Sequence, residues 1–179
     1  DGETWRPRTG ASSIVRTSGG SETDFVLGRD GRILAVSRNE QGDADGFGSH
    51  ICTAPASDLF DWSCVSDPRK FDSPLMLGTA ENAWLIARRN VTETGHYDLG
   101  AATGEPSTAL ENQIDYWQRP KRCSLWRVGE DRTVTHVLDL PSRGDTCFPE
   151  AIDLGGGRYL VFNYTSPLDG EDTSWVEGQ

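Results

Sequence analysis

One hairpin, written three times, constrains this chain more than any other feature. Residues 24–39 read Asp-Phe-Val-Leu-Gly-Arg-Asp-Gly-Arg-Ile-Leu-Ala-Val-Ser-Arg-Asn, two apolar runs around a tight Arg-Asp-Gly turn. An Asp-Gly pair between apolar segments is a strong short-range hairpin signal. The form returns at 73–90 around Glu81-Asn82, and at 150–164 around Gly155-Gly156-Gly157. Each copy carries a Leu-Gly pair, at Leu27-Gly28, Leu77-Gly78 and Leu154-Gly155. Each second strand exits into a polar cluster: Arg38-Asn39-Glu40, Arg88-Arg89-Asn90 and Asn163-Tyr164-Thr165. A hairpin that repeats together with its polar exit predicts a radial array of sheets around one site.

The rest of the chain agrees with an all-β reading. Aromatic and β-branched residues sit in short runs cut by Gly, Pro, Asp and Asn, and amphipathic helical register is scarce. The 179 residues are enough for one domain. Its units are expected at 23–66, 72–140 and 147–179, after a trailing strand in 1–22. The second unit is interrupted at 91–121 by a long excursion containing Tyr97, Ile114, Tyr116 and Trp117. Long structured loops in compact folds are usually functional.

Charge and motif content exclude several function classes. Lys plus Arg is 17 and Asp plus Glu is 28, so net charge is 17 − 28 = −11. A nucleic-acid surface needs a basic face, and this balance argues against that partner. No apolar run reaches the length of a membrane span. No glycine-rich phosphate loop follows a strand, so no nucleotide cofactor is expected. His50, His96 and His136 are scattered, and no metal cluster is expected from them. Cys52, Cys64, Cys123 and Cys147 match no compact zinc pattern. Disulfides and free buried thiols both fit them. Cys52 and Cys64 are equidistant from Asp58, so an in-register hairpin would face them across two strands. Cys123 with Cys147 is the second pairing. A Cys52–Cys64 bond would favour an extracellular compartment. Asn90-Val91-Thr92 and Asn163-Tyr164-Thr165 fit the glycosylation sequon.

Two turns carry a family resemblance. Asp1-Gly2-Glu3-Thr4-Trp5 resembles the second half of an Asp-box, Ser-x-Asp-x-Gly-x-Thr-Trp. Residues 57–62, with Ser57, Asp58 and Trp62 but no glycine, resemble a degenerate copy. The Asp-box is the turn between the third and fourth strands of each blade in the sialidase superfamily. The chain therefore resembles part of a sialidase-like β-propeller of four-stranded antiparallel blades. It would supply about two and a half blades, since a six-bladed ring at about 45 residues per blade needs more than about 250 residues. The missing remainder of the propeller is then an expected partner. Ser57-Asp58-Leu59 also resembles the turn of five-bladed arabinanase-like glycosidases.

In that geometry second-strand ends and first-strand starts meet at one face, near the central axis. The face would gather Arg38, Glu40, Arg88, Arg89, Asn163 and Tyr164 with Asp24, Asp72 and Glu150. Arginines beside carboxylates suit an anionic or polyhydroxylated ligand such as a glycan. Arg38, Arg88, Arg89 and Asn163 are the expected substrate-binding residues. Glu150, Asp24, Glu40 and Tyr164 are the expected catalytic ones. Glu150 and Tyr164 are expected in one pocket with Arg38 and one of Arg88 and Arg89. The resemblance also implies a departure: Phe148 stands where the family's nucleophilic tyrosine would be, and phenylalanine has no hydroxyl to attack a sugar. Two carboxylates could work instead. A glycosidase, its non-catalytic glycan- or protein-binding descendant, and an arabinanase-like enzyme are the readings left open.

Overall fold

The computed structural model describes residues 20–100 and 106–179. Asp1–Trp5, which carries the first Asp-box resemblance, and nearly all of the segment 1–22 in which a trailing strand is expected lie outside them. The described chain is mostly β with one short helix, and all its strand pairs are antiparallel. Strands β1 (Gly20–Leu27), β2 (Ile33–Asp43), β3 (Gly46–Ala54) and β4 (Ser63–Asp67) form one sheet in sequence order. Strands β5 (Asp72–Thr79), β6 (Asn82–Asn90), β7 (Lys121–Val128) and β8 (Val134–Asp139) form a second, again in sequence order. Strands β9 (Glu150–Asp153) and β10 (Tyr159–Phe162) make a two-stranded ribbon. All three repeated hairpins are present, as β1–β2, β5–β6 and β9–β10.

Their turns follow from local chemistry. Gly28 N–H donates to the Arg32 carbonyl at 2.8 Å, closing the first turn, while Gly31 takes φ 83°. Gly78 sits at φ 91°, and a Cβ there would collide with the Asn82 carbonyl. The turn at 57–62 does join β3 to β4, and Asp58 Oδ1 accepts the Phe60 N–H at 3.0 Å.

The excursion departs from expectation. Its end is a helix, α1 (Pro106–Trp117). Thr108, Asn112 and Tyr116 are buried along one face, four residues apart. That spacing is helical, but two of the three side chains are small and polar, while the apolar residues at helical spacing, Leu110, Ile114 and Trp117, are the exposed ones. Tyr97 and Tyr116 meet edge to face at 5.6 Å and pack with Phe47. Among the described residues no helix is long and apolar enough to cross a membrane.

The sheets stack in order. Val26, Leu34, Val36 and Ile51 of the first sheet pack against Met76, Leu85, Ala87 and Trp126 of the second. The other face of the second sheet, with Leu75, Leu77, Ile86 and Leu125, packs on Val161 of the ribbon. The carboxylates of Glu22 and Asp24 tie β1 to β5, accepting the Ser73 and Met76 N–H groups at 2.7 Å each.

Both cysteine pairs are disulfides, Cys52–Cys64 across β3 and β4, and Cys123–Cys147 from β7 to the segment before β9. The second staples the ribbon to the second sheet. Closing loops of these lengths stabilises by about 3 kcal/mol each in the chain-entropy account. Cys123→Ala/Cys147→Ala should lower the urea-unfolding free energy by about that amount. A loss under about 0.5 kcal/mol would show that the ribbon is held by packing alone.

Candidate functional site

Asp72 is where the sheets' polar ends converge. It begins β5, directly opposite Arg88 on β6, and is 2 % exposed. Its Oδ1 lies 3.1 Å from Arg38 Nη1 and 3.5 Å from Lys70 Nζ. Its Oδ2 accepts the Tyr116 hydroxyl at 2.6 Å and lies 3.7 Å from Arg88 Nη1. The network continues outward on both sides. Arg38 reaches Glu22 and Glu40 at 3.1 Å, and Lys70 reaches Glu40 at 3.0 Å. Arg88 donates its Nε–H to the Thr146 carbonyl at 2.6 Å and approaches Asp145 to 3.6 Å.

Helix α1 closes over this cluster. Lys70 and the Tyr97 hydroxyl both donate to Gln113, at 3.0 and 3.1 Å. The Lys70 ammonium also lies 4.4 Å from the centre of the Tyr116 ring. The buried Lys121 ammonium lies 3.9 Å from the centre of the same ring and donates to the Tyr116 and Arg119 carbonyls.

Burial and charge compete in these groups. Burial pushes the Asp72 carboxyl up, but Lys70, Arg88, the Tyr116 hydroxyl and Arg38 outweigh it and hold it below the ordinary aspartate value. Burial, then Asp72, push the Tyr116 phenol well above its usual value. Burial pulls Lys121 down to about 7. Arg38 and Arg88 lose to burial but gain more from their carboxylate and phenol neighbours, and both stay charged.

A more open rim adjoins the buried hub. Asp145 Oδ1 accepts the Tyr164 hydroxyl at 2.8 Å and the Trp175 Nε1–H at 3.0 Å. Tyr164, 42 % exposed, stacks on Phe148, 63 % exposed, with ring centres 6.4 Å apart. Trp175 stacks on Trp117 at 6.3 Å, and Arg88 lies 6.0 Å from the Trp175 ring. Two aromatic pairs thus flank Asp145.

The structure gathers part of the expected set. Arg38, Glu40 and Arg88 join the hub, and Tyr164 reaches it through Asp145. Arg89 does not: the strand alternates, and its guanidinium pairs with Asp139 on β8 at 2.6 and 2.8 Å. Asp24 is spent on the Met76 N–H. Glu150 departs most, because it lies exposed at the start of β9 and accepts the N–H of its own neighbour Ala151. No hydrogen bond or ion pair joins it to either arginine among the described residues. Asn163 braces the loop before β9, accepting the Cys147 N–H and donating to Thr146 Oγ1. The Asn90 sequon is closed by the fold, since Asn90 is 2 % exposed and donates to the His96 carbonyl. Sequence reasoning missed Lys70, Tyr116, Lys121 and Asp145. Lys70 and Asp145 sit near strand starts, a position the repeat could have flagged; Tyr116 needed the helix.

No protein-family model, curated protein or solved structure matches this chain.

Two outcomes follow from the charge balance. Asp72→Asn leaves buried Lys70 and Arg88 and half-buried Arg38 short of their shared anion, and should cost about 3–5 kcal/mol in denaturant unfolding. Lys121 fixes a pH response: folded it gives up its proton near pH 7, whereas an unfolded lysine keeps it to 10.5. Between those values the unfolded state holds more protons, so this residue makes stability rise with pH from 7 towards 10. Lys121→Met should remove that rise in the unfolding free energy measured across pH 6–10. A rise that persists in the variant would have another source.

Proposed function

We propose that this chain is a section of a sialidase-like β-propeller that binds a polyhydroxylated glycan at its rim without cleaving it. One observation carries this reading. Asp72, the carboxylate where the arginines converge, is buried and already shared among Arg38, Lys70, Arg88 and Tyr116. A proton-transfer group must change protonation near the working pH and reach the substrate, and a buried, fully paired anion does neither. The tyrosines fare no better as nucleophiles. Burial and the Asp145 contact push the Tyr164 phenol up, so it stays a protonated donor at neutral pH.

The rim supports binding. Phe148–Tyr164 and Trp117–Trp175 offer aromatic faces, while Asp145 and the Tyr164 hydroxyl offer polar contacts between them. Aromatic walls with a few placed polar groups are the usual make-up of a ligand site. The cluster's three cations, Arg38, Lys70 and Arg88, face four carboxylates, Glu22, Glu40, Asp72 and Asp145. With the positive charge internally spent, hydroxyls suit the rim better than a carboxylate does. The propeller part of the proposal rests on the stack. The second sheet is covered on both faces, and the outer faces still present Phe25 and Leu27 on one end and Ile152, Leu160 and Phe162 on the other. Such a series continues naturally into further blades.

A glycan array with neutral and sialylated members, run beside a fluorogenic-glycoside screen, tests the reading. Binding without turnover is expected. Phe148→Ala and Tyr164→Ala, both at exposed positions, should each weaken binding about five-fold, the roughly 1 kcal/mol of one aromatic contact. Hydrolysis of any glycoside would overturn the non-catalytic reading, and an affinity untouched by both substitutions would place the ligand elsewhere.

A further inference from the structure

The β2–β3 turn gathers a set of metal-ligand atoms that the glycan rim does not use. The strands are in register at Asn39 opposite Gly48, then slip before Asp43 opposite Gly46. Gly42 at φ 72° and Gly46 at φ 110° let the chain double back. The consequence is that one ligand atom each from Asp43, Asp45 and His50 lie within 4.8 Å of one another. Opposite ligands of an ion with bonds of about 2.1 Å sit about 4.2 Å apart, so little contraction is needed. His50 Nε2 is 3.4 Å from Asp43 Oδ2, and Asp43 Oδ1 accepts the Asp45 N–H at 3.0 Å.

A separate observation points to a ligand here. Asn39 is 0 % exposed, and its Nδ2 donates to the Gly46 carbonyl at 3.0 Å. Its Oδ1 is buried and has no hydrogen-bond partner among the described residues. Turning the amide over would press that oxygen against the Gly46 carbonyl, so the donor fixes the orientation. Asn39 and His50 share one face of the sheet, because Asn39 pairs with Gly48 and Ser37 with His50, two rungs away. A buried carbonyl oxygen without a donor is costly, and a cation satisfies it.

We propose that Asn39, Asp43, Asp45 and His50 form a divalent-cation site. One imidazole nitrogen among oxygen donors suits Mn²⁺ or Zn²⁺ better than Ca²⁺ or Mg²⁺, which take oxygen alone. The scatter of histidines along the sequence hid the site, since three of its four ligands are not histidines. A bound ion would fix the turn that carries Glu40 and Phe47 against the excursion, where Tyr97 donates to the Glu40 carbonyl and Asp98 accepts the Phe47 N–H.

The chain, treated with EDTA and dialysed, is titrated calorimetrically with Mn²⁺, Zn²⁺, Ca²⁺ and Mg²⁺, and its melting temperature is followed with each. One equivalent of Mn²⁺ or Zn²⁺ should bind and raise the melting temperature. Asp45→Asn, at an exposed position, should weaken that binding at least ten-fold, as should Asp43→Asn. Asp131→Asn, in the β7–β8 turn, should leave it unchanged. Absence of saturable Mn²⁺ or Zn²⁺ binding at concentrations up to about 1 mM, or equal binding by Asp45→Asn and Asp131→Asn, overturns the site.

Discussion

The Asp72 carboxylate is the contact on which the arrangement of sheets depends. It is an anion removed from water, and only full pairing makes that tolerable. Its partners come from four places: Arg38 from the first sheet, Lys70 from the link between sheets, Arg88 from the second sheet, and Tyr116 from α1. Packing of aliphatic side chains would accept small slips between the two sheets. A carboxylate with two oxygens and four directed partners accepts far fewer. The apolar interface supplies the driving force, and the ion cluster fixes where the sheets' ends lie.

That division explains which parts of the fold were legible in the sequence. The hairpins were, because their turns are written in Asp-Gly, Gly-Gly and Leu-Gly chemistry that acts over a few residues. The facing of Cys52 and Cys64 across Asp58 was, because register in a hairpin is set by distance from its turn; whether they bond was not. Helix α1 was not. Its buried face carries Thr108, Asn112 and Tyr116, the last two bonded to the excursion and the hub, while its apolar residues at helical spacing, Leu110, Ile114 and Trp117, are exposed, so the apolar stripe does not mark the packed side.

The site was legible to the level of strand ends and no further. Knowing that second strands end together places Arg38, Glu40, Arg88 and Arg89 near one another. Choosing between Arg88 and Arg89 needs the strand's parity, and β6 conceals it. Leu85 and Ala87 are buried on one face while Ile86 is buried on the other. A strand covered on both sides reads as a continuous apolar run and shows no alternation. Glu150 failed for a different reason. The ribbon has only two described strands, and its first residue lies at an exposed edge rather than under a neighbouring sheet.

The same cluster limits the chemistry its residues can perform. A glycosidase needs one carboxyl that parts with a proton and another that takes up charge, each open to the sugar. Here the carboxylate with the most cationic company is buried, and its Oδ2 already accepts the Tyr116 hydroxyl. Moving Tyr116 away would strip Lys70 and Lys121 of the ring they both face and expose three cations around one anion. The cost of that rearrangement falls on the fold, because the same contacts position α1. On the binding reading proposed above, recognition would fall outside this cluster, at the more exposed ring of Tyr164 and the Phe148 beside it, where contact would not disturb a charge that the sheets need.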